Sequence, residues 1–185
     1  MKNKILFAII ATIILIIPQN SYSQEKASVS SANIKTADIQ ITAGNDYRVR
    51  ILQGYLKSKN SPLAPYAADF VTQADKYNID WKFVAAISGL ESSFGEAIPY
   101  NSYNGWGWGV YGDNVIRFSS WPDGITTISK GLRERYMDKW GKKDVYEIGS
   151  VYAASPTWAV RVSYFMDNIS EFALNDTKNM LSLSF

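Results

Sequence analysis

The 185-residue chain has no cysteine and no histidine. Without cysteine there is neither a disulfide framework nor a thiolate nucleophile. Without histidine the commonest metal ligand is missing, and so is the base of His-assisted serine catalysis. Any general acid or base must be Asp, Glu, Tyr or Lys. An excess of charge is also lacking. Residues 1–23 hold two of the 19 basic residues, Lys2 and Lys4, and none of the 17 acidic ones, so the remainder balances at 17 against 17. No basic cluster is left there for nucleic acid, which is not expected as a partner.

What is present at the start is a charged pair followed by an apolar run, Ile5 to Ile17, of only 13 residues. Pro18-Gln19-Asn20 ends it and the small-residue pattern Ser21-Tyr22-Ser23 follows. This is the layout of a secretory signal peptide with cleavage after Ser23, and it is short for a membrane-spanning helix. An uncleaved anchor is the alternative, and then the only contact with a membrane. The expected location is outside the cytoplasm, secreted or in the cell envelope. Residues 24–45, rich in Ser, Ala, Lys and Thr without periodicity, are expected to be a flexible linker. One domain is expected over 46–175, with a tail over 176–185.

Within 46–175 the pattern is mainly helical. Ile51, Leu52, Tyr55 and Leu56 suit a first helix, and Ala67, Phe70, Val71 and Ala74 share the face of a second, ended by Asn78. Asp80 is an N-cap for a third, with Val84, Ile87, Leu90 and Phe94 as its buried stripe. Ser120-Trp121-Pro122-Asp123 opens a fourth, Asp144 through Glu147 resembles a capping box, and Ser155-Pro156 opens a last helix. The glycines at 95, 105, 107, 109 and 112 mark the stretch between as non-helical. Gly112-Asp113-Asn114 predicts a hairpin turn pairing Trp108–Tyr111 with Val115–Phe118.

Chemistry concentrates where the third helix meets that loop. Glu91 lies one step from Leu90 and four from Ile87, at the margin of the apolar stripe. There a carboxyl is expected to be half-buried, and burial favours the protonated form, a proton donor at neutral pH. Trp106 and Trp108 alternate with glycine and lack local packing partners, so at least one is a candidate to contact a sugar. Ser93 and Asn104 are candidate polar contacts, and Trp158, one turn into the last helix, fits either core or cleft. Tyr152 falls at a helix junction from which a side chain reaches a cleft. Asp113 is the candidate second carboxylate, although an Asp beside Gly112 also suits a turn by itself.

Glu91-Ser-Ser-Phe-Gly95, Asn104-Gly-Trp-Gly-Trp-Gly109, Phe118-Ser-Ser-Trp-Pro-Asp-Gly-Ile125 and Tyr152-Ala-Ala-Ser-Pro-Thr-Trp-Ala159, in that order, resemble the glucosaminidase domain of bacterial cell-wall hydrolases, glycoside hydrolase family 73 of the lysozyme-like superfamily. The resemblance covers roughly residues 65–172. It implies a lysozyme-like helical domain that cleaves β-1,4 bonds of peptidoglycan, without a cofactor and as a monomer. Glu91 would be its catalytic acid, and Tyr152 would line the same cleft. The chain departs from the family at Ser155, often Asp there, and at Gly105-Trp106-Gly107. A second carboxylate about 6.5–9.5 Å from the acid would imply inversion, and about 5–5.5 Å a covalent intermediate. The alternatives are a lytic transglycosylase, in which the sugar's 6-hydroxyl attacks to leave an anhydro end, and a non-catalytic sugar-binding module.

Overall fold

The computed structural model describes residues 46–109 and 114–182, and the described residues belong to one compact unit. The expected signal peptide and linker, and Asp113 on the expected turn, lie outside them. Six α-helices follow in order: α1 Tyr47–Ser58, α2 Ala67–Tyr77, α3 Phe83–Ser92, α4 Trp121–Lys130, α5 Val145–Tyr152 and α6 Trp158–Ser182. The protein is mainly α, as its periodicity implied.

The helix starts follow from side-chain acceptors. Asp46 caps α1 by accepting the Arg48 N–H, Ser120 caps α4 by accepting that of Asp123, and Asp144 caps α5 by accepting that of Glu147. Each satisfies a donor that has no partner inside its helix. Arg48 bridges Asp46 at 2.6 Å and Asp75 at 2.7 Å, tying the start of α1 to α2. This guanidinium holds the Asp46 carboxyl below its ordinary range, against the opposing effect of burial. A 3-10 turn, Ala64–Tyr66, precedes α2, and Ser61 anchors its approach: its hydroxyl accepts the Leu63 N–H at 3.0 Å and donates to the Phe94 carbonyl at 2.7 Å. The last helix continues through the segment expected to be a tail, reaching Ser182.

α3 forms the centre. Every side chain from Phe83 to Ser88 is buried, and the helix packs against α6 and α4. It ends abruptly. Ser93, Phe94 and Gly95 all have positive φ (52°, 60° and 90°), and the Phe94 N–H donates to the Ser88 carbonyl at 2.9 Å. That bond spans seven residues and closes the helix as the chain reverses over its own last turn. Left-handed geometry costs a non-glycine residue roughly 1–2 kcal/mol. Packing offsets it: the Phe94 ring meets Tyr55 and Phe165 edge-on, with centroids at 5.6 and 5.3 Å. The ring lies against Gly89, where a Cβ would come within 2.6 Å of it. A mid-helix glycine, costly by propensity, is thus explained by a ring five residues later.

The expected hairpin is not seen. Val115–Phe118 is irregular, and among the described residues only Asn114 is marked by an isolated β-bridge. Residues 110–113, the turn itself, lie outside the described residues, and one side chain joins the segments on either side of it. The Asn104 amide donates to the carbonyls of Trp108 (2.8 Å) and Ile116 (2.9 Å), binding the two segments through itself. The Phe118 N–H goes to the Ser102 carbonyl, 2.8 Å away.

Candidate active site

Glu91 occupies the last turn of α3, one residue before the reversal. The structure corrects the expectation of a half-buried acid: Glu91 is exposed. The helix buries Ser88 and Ser92 and turns residue 91 outward. Its carboxyl is nevertheless fixed. Oε1 accepts the indole N–H of Trp158 at 2.7 Å. Oε2 faces Gly107, where a Cβ would stand 3.3 Å from it. The loop backbone therefore passes beside the carboxyl, at a residue with φ of +62°. Glycine takes that conformation without strain and brings no side chain into the space.

Trp158 is 3% exposed and rigidly seated. Its ring stacks on Tyr152 with centroids 4.6 Å apart and planes inclined by 26°. Beneath it lies Gly149, where a Cβ would be 3.0 Å from the indole. Tyr152 is partly exposed at its ring, but its hydroxyl end is enclosed and donates to the Trp106 carbonyl at 3.1 Å. Burial pushes this hydroxyl well above the ordinary tyrosine range, and the neighbouring Glu91 charge and Tyr136 push the same way. Tyr152 is therefore a protonated hydrogen-bond donor at neutral pH, not a phenolate nucleophile. Its hydrogen is taken by the loop, so it acts on the site through Trp106 and Trp158.

Trp106 is not at the surface. It is 0% exposed, its indole N–H donates to the Val84 carbonyl at 2.9 Å, and it packs among Phe70, Phe118 and Trp121. The flanking glycines that suggested an unpacked ring let the chain turn it inward, and distant helices supply the partners. Trp108 is half-buried against Tyr136 and Tyr152, resting on Gly131, where a Cβ would come within 2.6 Å. Gly131 begins a π-helical continuation of α4, Gly131–Lys139.

Asn104, expected to contact a ligand, is 2% exposed and organises the loop. Its Oδ1 accepts the N–H groups of Trp106 (3.3 Å) and Trp108 (3.1 Å), while its amide holds the two carbonyls described above. All four contacts fix how Trp106-Gly107-Trp108 passes Glu91. Ser93 is exposed and terminates α3. Its neighbour Ser92, rather than Ser93, joins helix to loop: its hydroxyl bonds the Gly105 carbonyl at 2.8 Å, approaches that of Ser88 at 3.1 Å, and accepts the Gly95 N–H at 2.9 Å.

The structure thus brings together Glu91, Trp158, Tyr152 and the 104–108 loop, and sends Ser93 away from them. Gly107 was passed over in the sequence. The alternation of glycine with large rings signals close backbone approach as readily as it signals exposed rings. No protein-family model matches the chain, and no curated protein matches it. Two surface grooves, of about 380 and 410 Å³, flank Tyr146 beside α5 and α6, and Glu91 lines neither. Glu91 itself is exposed to solvent. Among the described residues, no three His, Cys, Asp or Glu side chains converge as a metal site.

Proposed function

We propose that the protein is an exported glycosidase acting on the peptidoglycan glycan strand, of endo-β-N-acetylglucosaminidase type, with Glu91 as general acid. One observation carries the reading: a solvent-facing carboxylate, at the abrupt end of the most buried helix, is gripped by a buried indole N–H beside a side-chain-free stretch of backbone. The same bond satisfies the buried indole and ties α6 to the end of α3; it also holds the carboxyl oxygens in place. A general acid needs that, because proton transfer requires its oxygens within hydrogen-bond reach of the leaving group. Since Glu91 is open, the exclusion of water has to come from the bound glycan covering it.

In this reading Glu91 protonates the glycosidic oxygen as the bond to the anomeric carbon breaks. Either water or the sugar's own 6-hydroxyl then captures that carbon. Water activated by a second carboxylate, for which Asp113 is the candidate, leaves a reducing end. Attack by the 6-hydroxyl leaves a 1,6-anhydro end, the lytic transglycosylase outcome.

The test is digestion of purified peptidoglycan by wild type and Glu91→Gln, with mass spectrometry of the products. Gln keeps an acceptor oxygen for Trp158 and an exposed position, so its melting temperature should match wild type. Turnover should fall about 10²–10⁴-fold, the usual worth of general acid catalysis. A wild-type protein that binds walls and releases no fragments would be a sugar-binding module. Export is tested by sequencing the mature N-terminus, expected after Ser23.

A further inference from the structure

We infer that the two oxygens of Glu91 have separate duties, assigned by Trp158 and Gly107: Oε1 is the anchored oxygen, and Oε2, on the Gly107 side, carries the proton to the glycosidic oxygen. The inference rests on the proposed function and specifies where on that site the scissile bond must lie. An indole N–H donates and cannot accept. At 2.7 Å it occupies Oε1, and the carbonyl oxygen of a protonated carboxyl can accept it as a carboxylate oxygen does. In the acid form the better acceptor is the carbonyl oxygen, so Oε1 is C=O and Oε2 is O–H.

Trp158 cannot swing away to reverse this. It is clamped between Tyr152 and Gly149, and Tyr152 is hydrogen-bonded to Trp106, the residue before Gly107. The contacts close a ring from Glu91 through Trp158, Tyr152 and the loop back to Glu91. The loop meets that ring at its one glycine beside Oε2, so the gap left by the missing side chain is where a sugar oxygen can come within bonding distance. In the reaction the Oε2–H proton passes to the glycosidic oxygen, which departs with the C–O electron pair. On the 6-hydroxyl route the attacking hydroxyl gives its proton to Glu91; on the water route the proton goes to the second carboxylate and Glu91 is reprotonated from solvent. Trp158 is a positioning residue in this scheme, and Gly107 sets the approach.

The experiment has an arm that does not depend on activity. In wild type the Trp158 indole proton, observed by NMR, should shift as the solution is acidified and Glu91 takes up its proton. It should also move in Glu91→Gln. A signal indifferent to both overturns the anchoring, whatever the enzyme does. The kinetic arm uses Trp158→Phe and, to keep the ring shape while removing only the N–H, 3-benzothienylalanine at position 158. Both should leave KM near wild type and lower kcat about tenfold, the order expected for one charge-assisted hydrogen bond. Unchanged kcat in the benzothienyl protein overturns the proposal. Gly107→Ala should abolish turnover with the indole signal intact, and full activity there would place the substrate elsewhere. If wild type cleaves no glycan while the indole signal responds, the functional reading fails and the anchoring stands.

Discussion

Asn104→Asp changes one NH₂ group to oxygen, and the structure gives its consequence a size and a pH dependence. The amide nitrogen donates to two carbonyls, at 2.8 and 2.9 Å, and Oδ1 accepts two backbone N–H groups. A carboxylate keeps the second pair and loses the first. Each lost bond is worth about 1 kcal/mol net, and a buried carbonyl left without a donor costs about 1–3 kcal/mol. With a 2% exposed carboxylate facing two carbonyl oxygens, a loss of about 3–5 kcal/mol is expected, against total stabilities of about 5–15 kcal/mol. Burial and those oxygens push the new carboxyl above its unfolded value. Its protonated form regains one donor, so it contributes stability below the unfolded carboxyl range that is lost as pH rises through the folded value. Urea denaturation of both proteins at about pH 5 and about pH 8 should therefore show a deficit that is larger at the higher pH. Wall digestion should fall with it, since Asn104 sets the path of Gly107 past Glu91. A deficit below about 1 kcal/mol, or one equal at both pH values, would refute the clamp.

Trp106→Ala should cost about 3–5 kcal/mol, the range for emptying a buried aromatic site, and a denaturation midpoint near wild type would return this ring to the surface. Tyr152→Phe should lose about 1 kcal/mol at neutral pH through the Trp106 carbonyl. The raised tyrosine contributes stability that is present below its unfolded value near 10 and lost as pH rises through the folded one, so denaturation curves of the two proteins should converge in strong alkali. Gly89→Ala, which helix propensity alone favours by about 0.5–1 kcal/mol, should instead destabilise by about 1–3 kcal/mol, because the Cβ meets the Phe94 ring at 2.6 Å; thermal melts decide the sign.

The sequence by itself determined what is local. Two helix starts were legible because Ser120 and Asp144 cap within three residues of themselves, whereas Asp80, expected to cap α3, lies two residues before the N-cap position at Lys82. Apolar faces were legible because a helix repeats every 3.6 residues, and Val84 and Ile87 are buried as their spacing implies. The position of Glu91 at a helix end was legible for the same reason. Tertiary structure alone decided what each side chain meets at long range. It buried Trp106 under Val84, Phe70 and Trp121, while its flanking glycines advertised only a flexible backbone. It turned Asn104 from a ligand contact into a clamp across Trp108 and Ile116. It left Glu91 in solvent and brought to it an indole from 67 residues away. Capping and periodicity are encoded within a few residues, whereas a partner so distant is chosen by how α3 and α6 pack, and no local pattern carries that choice.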